Sequence, residues 1–379
     1  MTATKFLCID DQQDPSVDYL LGNLQRTGRI TFTRRTPVGL ELQLPIISSF
    51  AADAQDEAIG LLLDLRLDVD PDDDGLRVAY RGPTLAQEIR TRMAEGELAS
   101  FPIVLWSVNR KFRQSYFGDE TSHDLFDEVF GKDEEILNEP ENVALKLASL
   151  ASGYVSLRTI TEHNALSCLG LPEASSAPIY FVFASEFLEV VKSKAKHEVA
   201  HLILRELIAV QGLLITEQML ASRLGVDIAA SGDAWSLLKV ALEGSEYVGP
   251  FHEGWPRWWW YRVEDWWALN NDGRVDLRRL SAVERVERLN SVLGSALVPA
   301  EPIEPTYSTK YSTLCVATLR PLDPIDGFRI TQRSVRRWHD AAYVSALAAL
   351  ERTNKAAWQL DALERDRFDQ LKQARSEEQ

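Results

Sequence analysis

Short apolar runs alternate with amphipathic stretches over the first 150 residues. The runs KFLCI, AIGLLLDLRL, FPIVLWS and the weaker FDEVFGK each have the length of a buried strand. Between them, residues 15–28 and 82–96 carry apolar side chains at helical spacing, and Gly82-Pro83-Thr84 is typical of a helix start. Strands that alternate with helices predict a parallel sheet covered on both faces, and therefore an α/β domain over residues 1–150.

Polar residues end each of these candidate strands. Asp10 and Asp11 follow the first, Asp64 lies near the end of the second, Ser107 ends the third and Lys132 the fourth. Because ligands of parallel sheets bind at the carboxyl ends of the strands, we expect these side chains to converge on one pocket. Clustered carboxylates repel one another unless a cation neutralises them, and Mg²⁺ is the hard divalent ion that suits oxygen ligands. One carboxylate can then act as a nucleophile toward phosphorus.

These residues resemble the receiver domain of bacterial two-component response regulators, over about residues 4–150. The resemblance implies a flavodoxin-like doubly wound parallel sheet, with Asp64 as phosphoacceptor and with Ser107 and Lys132 beside it. It implies a Mg²⁺ site formed by the carboxylates of Asp10, Asp11 and Asp64 and the backbone carbonyl of Arg66. It also implies a sensor histidine kinase or a phosphotransfer protein as phosphodonor, and an acyl phosphate that later hydrolyses without a separate enzymatic activity.

Two features depart from the family. Asp133 stands where the family usually has proline after the lysine, and the aspartate-rich loop that follows Asp64 is longer than usual. A solvated acidic loop and a second cation site are both open interpretations of that loop.

Residues 151–270 lose the alternation of strands and helices and predict a mostly helical region. Three helix candidates follow one another over residues 196–210, 216–225 and 231–244. We expect Thr216 to cap the second and Gly225 to end it, and Ser231 or Asp233 to cap the third. The segment EYVGPFHEGWPRWWWYRV then predicts a hairpin, so that the order of elements resembles a winged helix-turn-helix module.

The third helix of this module is acidic, although a helix that reads DNA normally presents basic or amide side chains. It offers Lys239 against Asp233 and Glu243. We therefore expect the module to contact protein, which would be a second effector, and not DNA. A DNA-binding transcriptional regulator remains the alternative, and a gel-shift assay at moderate salt separates the two.

The stretch HEVAH has the spacing of a zinc-peptidase helix, with His197 and His201 four residues apart and Glu198 between them. A third ligand would have to come from Glu206, from Glu217 or from a residue that the sequence pattern does not identify, since no later histidine stands at the spacing of the longer zinc motifs. We interpret the two histidines as structural, with a metallopeptidase as the alternative.

Residues 271–379 form a mixed segment. The three tryptophans Trp258–Trp260 that precede it predict a strand with tryptophan on both faces, which either pack within the chain or meet a partner. Residues 340–376 predict one long amphipathic helix, which either docks on its own domain or forms a homodimer.

The composition and the net charge bear on the partners and on the location of the protein. The chain has 57 acidic and 41 basic residues, a net charge of −16, so it is a poor electrostatic partner for nucleic acid. Three distant cysteines, no signal peptide and no long apolar run predict a cytoplasmic protein without a membrane segment. We expect a phosphate sink or a partner-binding regulator, similar to the receiver proteins with unassigned tails in bacterial antiphage two-component operons.

Overall fold

The computed structural model describes residues 3–52, 57–71, 75–107, 125–132, 135–171, 178–271, 273, 276–332 and 335–377. The chain divides into two compact units. The first consists of Met1–Ser175, Phe183–Glu206 and Val248–Trp255, and the second of Ser176–Val182, Leu207–Tyr247 and Pro256–Gln379. The boundaries expected from the sequence, at residues 150 and 270, stay a prediction.

The first unit is built on a five-stranded parallel sheet in the order β2-β1-β3-β4-β5. Its strands are β1 (Thr4–Ile9), β2 (Ile30–Arg35), β3 (Ile59–Asp64), β4 (Ile103–Ser107) and β5 (Glu128–Gly131). This order is that of a flavodoxin-like doubly wound sheet, as the sequence predicts. Residues of β1, β3 and β4 are buried almost throughout, since helices cover both faces, whereas β2 at the edge alternates between buried and exposed positions.

Helices follow β1, β2, β3 and β5 along the chain. The helices of this part of the chain are α1 (Pro15–Gln25), α2 (Leu40–Ala52), α3 (Gly82–Ala94), α4 (Glu135–Asn138), α5 (Pro140–Arg158), α6 (Ala165–Cys168), α7 (Pro178–Ser193) and α8 (Lys196–His201). Asp14 caps α1 by accepting a hydrogen bond from the Ser16 amide at 2.8 Å. The helix expected over residues 196–210 is α8 continued by a π-helix over Leu202–Ile208.

The second unit contains short helices and antiparallel strand pairs whose strands are two or three residues long. Its strands are β6 (Leu214–Ile215), β7 (Trp258–Trp259), β8 (Thr313–Leu314), β9 (Pro321–Leu322), β10 (Gly327–Arg329) and β11 (Tyr343–Ser345). Its helices are α9 (Glu217–Leu224), α10 (Ile228–Ser231), α11 (Asp233–Ala241), α12 (Trp260–Asn270), α13 (Ala282–Leu293), α14 (Ala346–Glu351) and α15 (Arg365–Glu377). Strands β6 and β7 pair antiparallel, but β6 precedes α9 and lies outside the segment in which the sequence predicts a hairpin. Within that segment, Glu246 and Trp258 form an isolated antiparallel bridge, and the Tyr247 amide donates a hydrogen bond to the Arg257 carbonyl at 2.9 Å.

The capping residues of α9 and α11 agree with the sequence prediction in one helix and differ from it in the other. Thr216 caps α9 through the Met219 amide, and Gly225 ends it with a φ of 75°, as expected. The caps expected for the third helix are wrong, because Gly232 takes the N-cap position with a φ of 52° and no side-chain hydrogen bond. The Ser231 hydroxyl instead accepts a hydrogen bond from the Val298 amide at 2.9 Å.

The tryptophan strand is shorter than predicted. Trp258 and Trp259 form β7, but Trp260 already begins α12. All three side chains are buried, which confirms that they pack within the chain.

The single helix predicted over residues 340–376 is also wrong. Arg352 and Asn354 both have positive φ values, of 59° and 46°, and these left-handed positions end α14. A C-terminal helix is present as α15, and it packs on its own unit through Phe368, whose ring centroid lies 5.5 Å from that of Phe328. Among the described residues, no helix is both long and apolar enough to cross a membrane.

Candidate functional site

The carboxyl ends of the strands bring three of the predicted site residues into direct contact. The Lys132 ammonium lies 2.6 Å from Asp10 Oδ2 and 2.7 Å from Asp64 Oδ1. It also donates a hydrogen bond to Gln12 Oε1 at 3.3 Å. All three charged side chains are buried, so that the ion triad is shielded from water.

The sheet order explains why these residues meet. Strand β3 lies between β1 and β4, so Asp64 at its end is flanked by Asp10 after β1 and by Ser107 at the end of β4. Lys132 directly follows β5, and its amide donates a hydrogen bond to the Ser107 carbonyl at 3.1 Å. The predicted convergence of Asp10, Asp64, Ser107 and Lys132 is therefore what the structure shows.

Asp11 holds the loop that follows β3. Its Oδ2 accepts hydrogen bonds from the amides of Val69 and Asp70, at 2.8 and 2.9 Å. Asp68 in the same loop pairs with Arg66 at 2.7 Å and with Arg81 at 3.4 Å. Residues 72–74 of this aspartate-rich loop lie outside the described residues, as does the departure from the family at Asp133, so the second-cation interpretation stays a prediction.

A cavity of about 350 Å³ opens above the triad. Its wall is formed by Asp11, Gln12, Asp64, Leu65, Arg66, Val69, Asp70, Arg81, Pro83 and Ser107. The phosphoacceptor candidate, which is Asp64, the hydroxyl candidate and three of the four predicted Mg²⁺ ligands, Asp64 among them, therefore share one open space.

Helix α3 begins in contact with the backbone of Asp64. The Gly82 amide donates a hydrogen bond to the Leu65 carbonyl at 3.1 Å. A Cβ atom on Gly82 would lie 2.3 Å from the Asp64 carbonyl oxygen, too close for any other residue without a backbone shift. Glycine therefore sets how near the positive N-terminus of α3 stands to Asp64.

Burial and neighbouring charges shift the pKa values of Asp64 and Lys132. Burial raises the pKa of Asp64 to about 6, with repulsion from Asp10 in the same direction and the Lys132 ammonium opposing both. Burial alone would lower the pKa of Lys132, but Asp64 and Asp10 outweigh it and raise that pKa above its usual value. Lys132 is therefore charged at neutral pH, and Asp64 is mostly ionised above pH 6.

The oxygen ligands that the cavity offers fit Mg²⁺, but fewer of them are carboxylates than the sequence predicts. Among the described residues, no three histidine, cysteine, aspartate or glutamate side chains are arranged to hold a metal ion. The facing oxygens of Asp10 and Asp64 contact Lys132 instead. The wall still offers Asp11, Asp64 and Arg66, which are two carboxylates and a residue with a backbone carbonyl, and Mg²⁺ keeps several waters besides such ligands.

The HEVAH histidines belong to a different, buried network. Asp127 Oδ2 accepts from Arg90 Nη2 at 2.8 Å, and Asp127 Oδ1 accepts from the Tyr154 hydroxyl at 2.6 Å. His201 Nε2 lies 3.4 Å from the same Oδ1, and His197 is buried beside it. His201 therefore lies beside a buried carboxylate that already pairs with Arg90, and the structural interpretation of the two histidines stays a prediction.

Two cavity residues escaped the sequence interpretation. Gln12 accepts a hydrogen bond from Lys132 and lines the cavity, and Arg81 lines it from the residue before α3. Only their positions in the sequence could have indicated them, since Gln12 directly follows the aspartate pair and Arg81 directly precedes Gly82.

Neither a search of protein-family models nor a search of curated proteins finds a match for this chain.

Proposed function

We propose that the first unit is a phosphoacceptor domain of the receiver type, in which Asp64 takes a phosphoryl group from a phosphohistidine. The observation that carries this proposal is the Lys132 ammonium, which bridges Asp10 and Asp64 at 2.6 and 2.7 Å at the carboxyl edge of a 2-1-3-4-5 sheet. Burying a cation between two carboxylates costs desolvation free energy. That cost is expected at a site where the cation must also stabilise the negative charge of an incoming phosphoryl group.

The chemistry follows from the residues of the cavity. An ionised Asp64 oxygen attacks the phosphorus, the N–P bond breaks, and the histidine ring leaves and takes up a proton from solvent. Lys132 lies close enough to Asp64 to donate to the oxygens of the bound phosphoryl group, and Ser107 lies on the same wall. Water later cleaves the acyl phosphate, which returns the carboxylate and releases inorganic phosphate.

Mg²⁺ would be held by Asp11, Asp64 and the carbonyl of Arg66, with Asp10 beside them, and when bound it would neutralise charge on the phosphoryl oxygens. The transfer replaces the single negative charge of the Asp64 carboxylate by a charge of about −2 on the acyl phosphate, next to the beginning of α3 and to the loop held by Asp11. These two segments are therefore the parts of the unit most exposed to the change in charge.

The output is proposed to be contact with a second protein. On α11, Leu237 and Val240 are 58% and 70% exposed, and the one basic residue of the helix, Lys239, is paired with Glu217 at 2.9 Å. An apolar helix surface without spare positive charge suits a protein partner better than the phosphate backbone of DNA.

The loop of the hairpin that the sequence predicts, Val248–Trp255, belongs to the first unit and supports the same conclusion. Phe251 packs edge-on against Tyr154 at a ring-centroid distance of 6.2 Å, and the Gly254 amide donates to the Ser149 hydroxyl at 2.9 Å. In a DNA-binding winged helix this loop would face the nucleic acid, but here it is packed on α5 of the first unit. A phosphate sink and a partner-binding regulator, in antiphage defence or elsewhere, both remain compatible with this arrangement.

The phosphoacceptor proposal is tested by labelling with a radioactive small-molecule phosphodonor in the presence of Mg²⁺. We expect acid-stable, base-labile label on the wild-type protein, no label on Asp64→Ala, and loss of wild-type labelling when the metal is chelated. Asp369→Ala, an exposed aspartate on α15, is the matched control and should label like the wild type. Equal labelling of Asp64→Ala and the wild type would refute the assignment.

A further inference from the structure

The second unit contains a small cavity with an excess of positive charge. Its volume is about 190 Å³, and its wall includes Arg223, Arg278, Ser312, Thr313 and Tyr343. Among the described residues, Asp340 is the one acidic residue on this wall, and it is paired with Arg223. The positive character is unusual in a chain whose net charge is −16.

A third arginine lies behind the wall. Arg285 is fully buried on α13, where it occupies the stripe of core positions with Ala282, Val286 and Leu289. Its Nε donates to the Leu277 carbonyl at 3.0 Å, and its Nη1 donates to the carbonyls of Arg223 and Tyr311, both at 2.8 Å. Each of these three acceptors belongs to a residue that lines the cavity.

The charge of Arg285 is poorly compensated. Its Nη2 is buried and meets no hydrogen-bond acceptor among the described residues, and no carboxylate in those ranges forms an ion pair with it. Burial lowers the pKa of this guanidinium to about 10, and the more distant Asp323 and Asp276 offset only part of the effect. Burying a cation without a partner is costly, so a site of this kind is stabilised when an anion arrives.

The other two arginines differ in how firmly they are held. Arg223 is fixed by Asp340 and by stacking at 4.8 Å over the ring of Trp260. Arg278 is 67% exposed, and its acidic neighbour, Glu264, lies 3.7 Å away. Arg278 is therefore able to turn toward a ligand at little cost, while Arg223 and Arg285 are already in place.

We propose that this cavity binds a phosphate group, either as inorganic phosphate or as the phosphate of a small monoester, with Arg278 as its direct positive partner and with Arg285, behind the wall, as a second positive charge that attracts the anion without contacting it. Guanidinium groups match phosphate oxygens in pairs, and the hydroxyl-bearing residues Ser312, Thr313 and Tyr343 supply further donors of the kind that phosphate accepts. The volume of about 190 Å³ is large enough for a phosphate group with a small substituent. The site goes beyond the proposed phosphoacceptor function, since all of its residues belong to the second unit.

The test is calorimetric titration of the full chain with inorganic phosphate and, separately, with glycerol 3-phosphate. We expect saturable binding of at least one of them, and the ligand that binds more tightly identifies the source of the phosphate. Asp64→Ala should leave this affinity unchanged, which separates the site from the phosphoacceptor pocket. Arg278→Gln should weaken binding about tenfold, because it removes one charge-assisted contact.

Two further variants keep the proposal open to refutation. Arg279→Gln carries the same charge change on the next residue, which is exposed and lies outside the cavity wall, and it should bind like the wild type. If Arg285→Met folds, it should lose the rise in melting temperature that phosphate produces in the wild type. No saturable binding at millimolar ligand, equal weakening by Arg278→Gln and Arg279→Gln, or full binding by Arg285→Met would each overturn the proposal.

Discussion

Replacing Arg90 by methionine should lower the free energy of unfolding of the first unit by about 3–5 kcal/mol, because it leaves the buried Asp127 carboxylate without its main cation. Arg90 and Asp127 are both buried, and the guanidinium contacts that carboxylate at 2.8 Å. The Tyr154 hydroxyl and the Ile103 amide still donate to Asp127 in the variant, but neither carries a charge. Denaturant unfolding followed by circular dichroism measures the change.

The control for this prediction lies two residues away on the same helix. Arg92 pairs with Glu88 at 2.9 Å but is 35% exposed, so Arg92→Met should cost no more than about 1 kcal/mol. Equal losses in the two variants would show that the Asp127 network contributes no more than a surface ion pair.

The second large effect concerns Lys132. Lys132→Ala should slow the initial rate of phosphoryl acceptance from a small-molecule donor about 100- to 1,000-fold, the usual cost of removing a preorganised donor to developing charge. Without the ammonium, Asp10 and Asp64 face each other with no cation between them, and an incoming phosphoryl group meets repulsion. The rate of label incorporation at saturating Mg²⁺ measures the effect.

Lys5→Ala is the matched control, since Lys5 lies on β1 of the same sheet but pairs with the half-exposed Glu57. It should label at the wild-type rate. If Lys132→Ala also keeps the wild-type rate while remaining folded, the triad is structural and the proposed role of Lys132 is wrong.

The sheet and its acidic pocket could be predicted because buried parallel strands leave a strong signal. Strands β1, β3 and β4 are continuous apolar runs, and their polar ends mark the ligand edge directly. The edge strand β2 was missed, because ITFTRR buries one face only and ends in two arginines. Helix α2 was not predicted either, because it carries Pro45 in its interior and a proline normally indicates that a helix ends.

Features decided by distant contacts could not be predicted. The HEVAH spacing is the same in a zinc site and in a buried ion network, and the partner that distinguishes them, Asp127, lies far away in the sequence. Arg285 is a similar case. The sequence shows an arginine within an apolar helical stripe, but it does not show the three backbone carbonyls that accept its hydrogen bonds. The break near Arg352 and Asn354 is likewise hidden, because neither residue type is a strong helix breaker.

The central claim is that Asp64 itself becomes phosphorylated, and the most direct measurement is to locate the modification by mass. Protein treated with a small-molecule phosphodonor and Mg²⁺ is reduced with borohydride, which converts an aspartyl phosphate to homoserine, and its peptides are then analysed. We predict that the conversion occurs at Asp64 and at neither Asp10 nor Asp11. Phosphoryl groups found only on another residue, with Asp64 unchanged, would contradict the account.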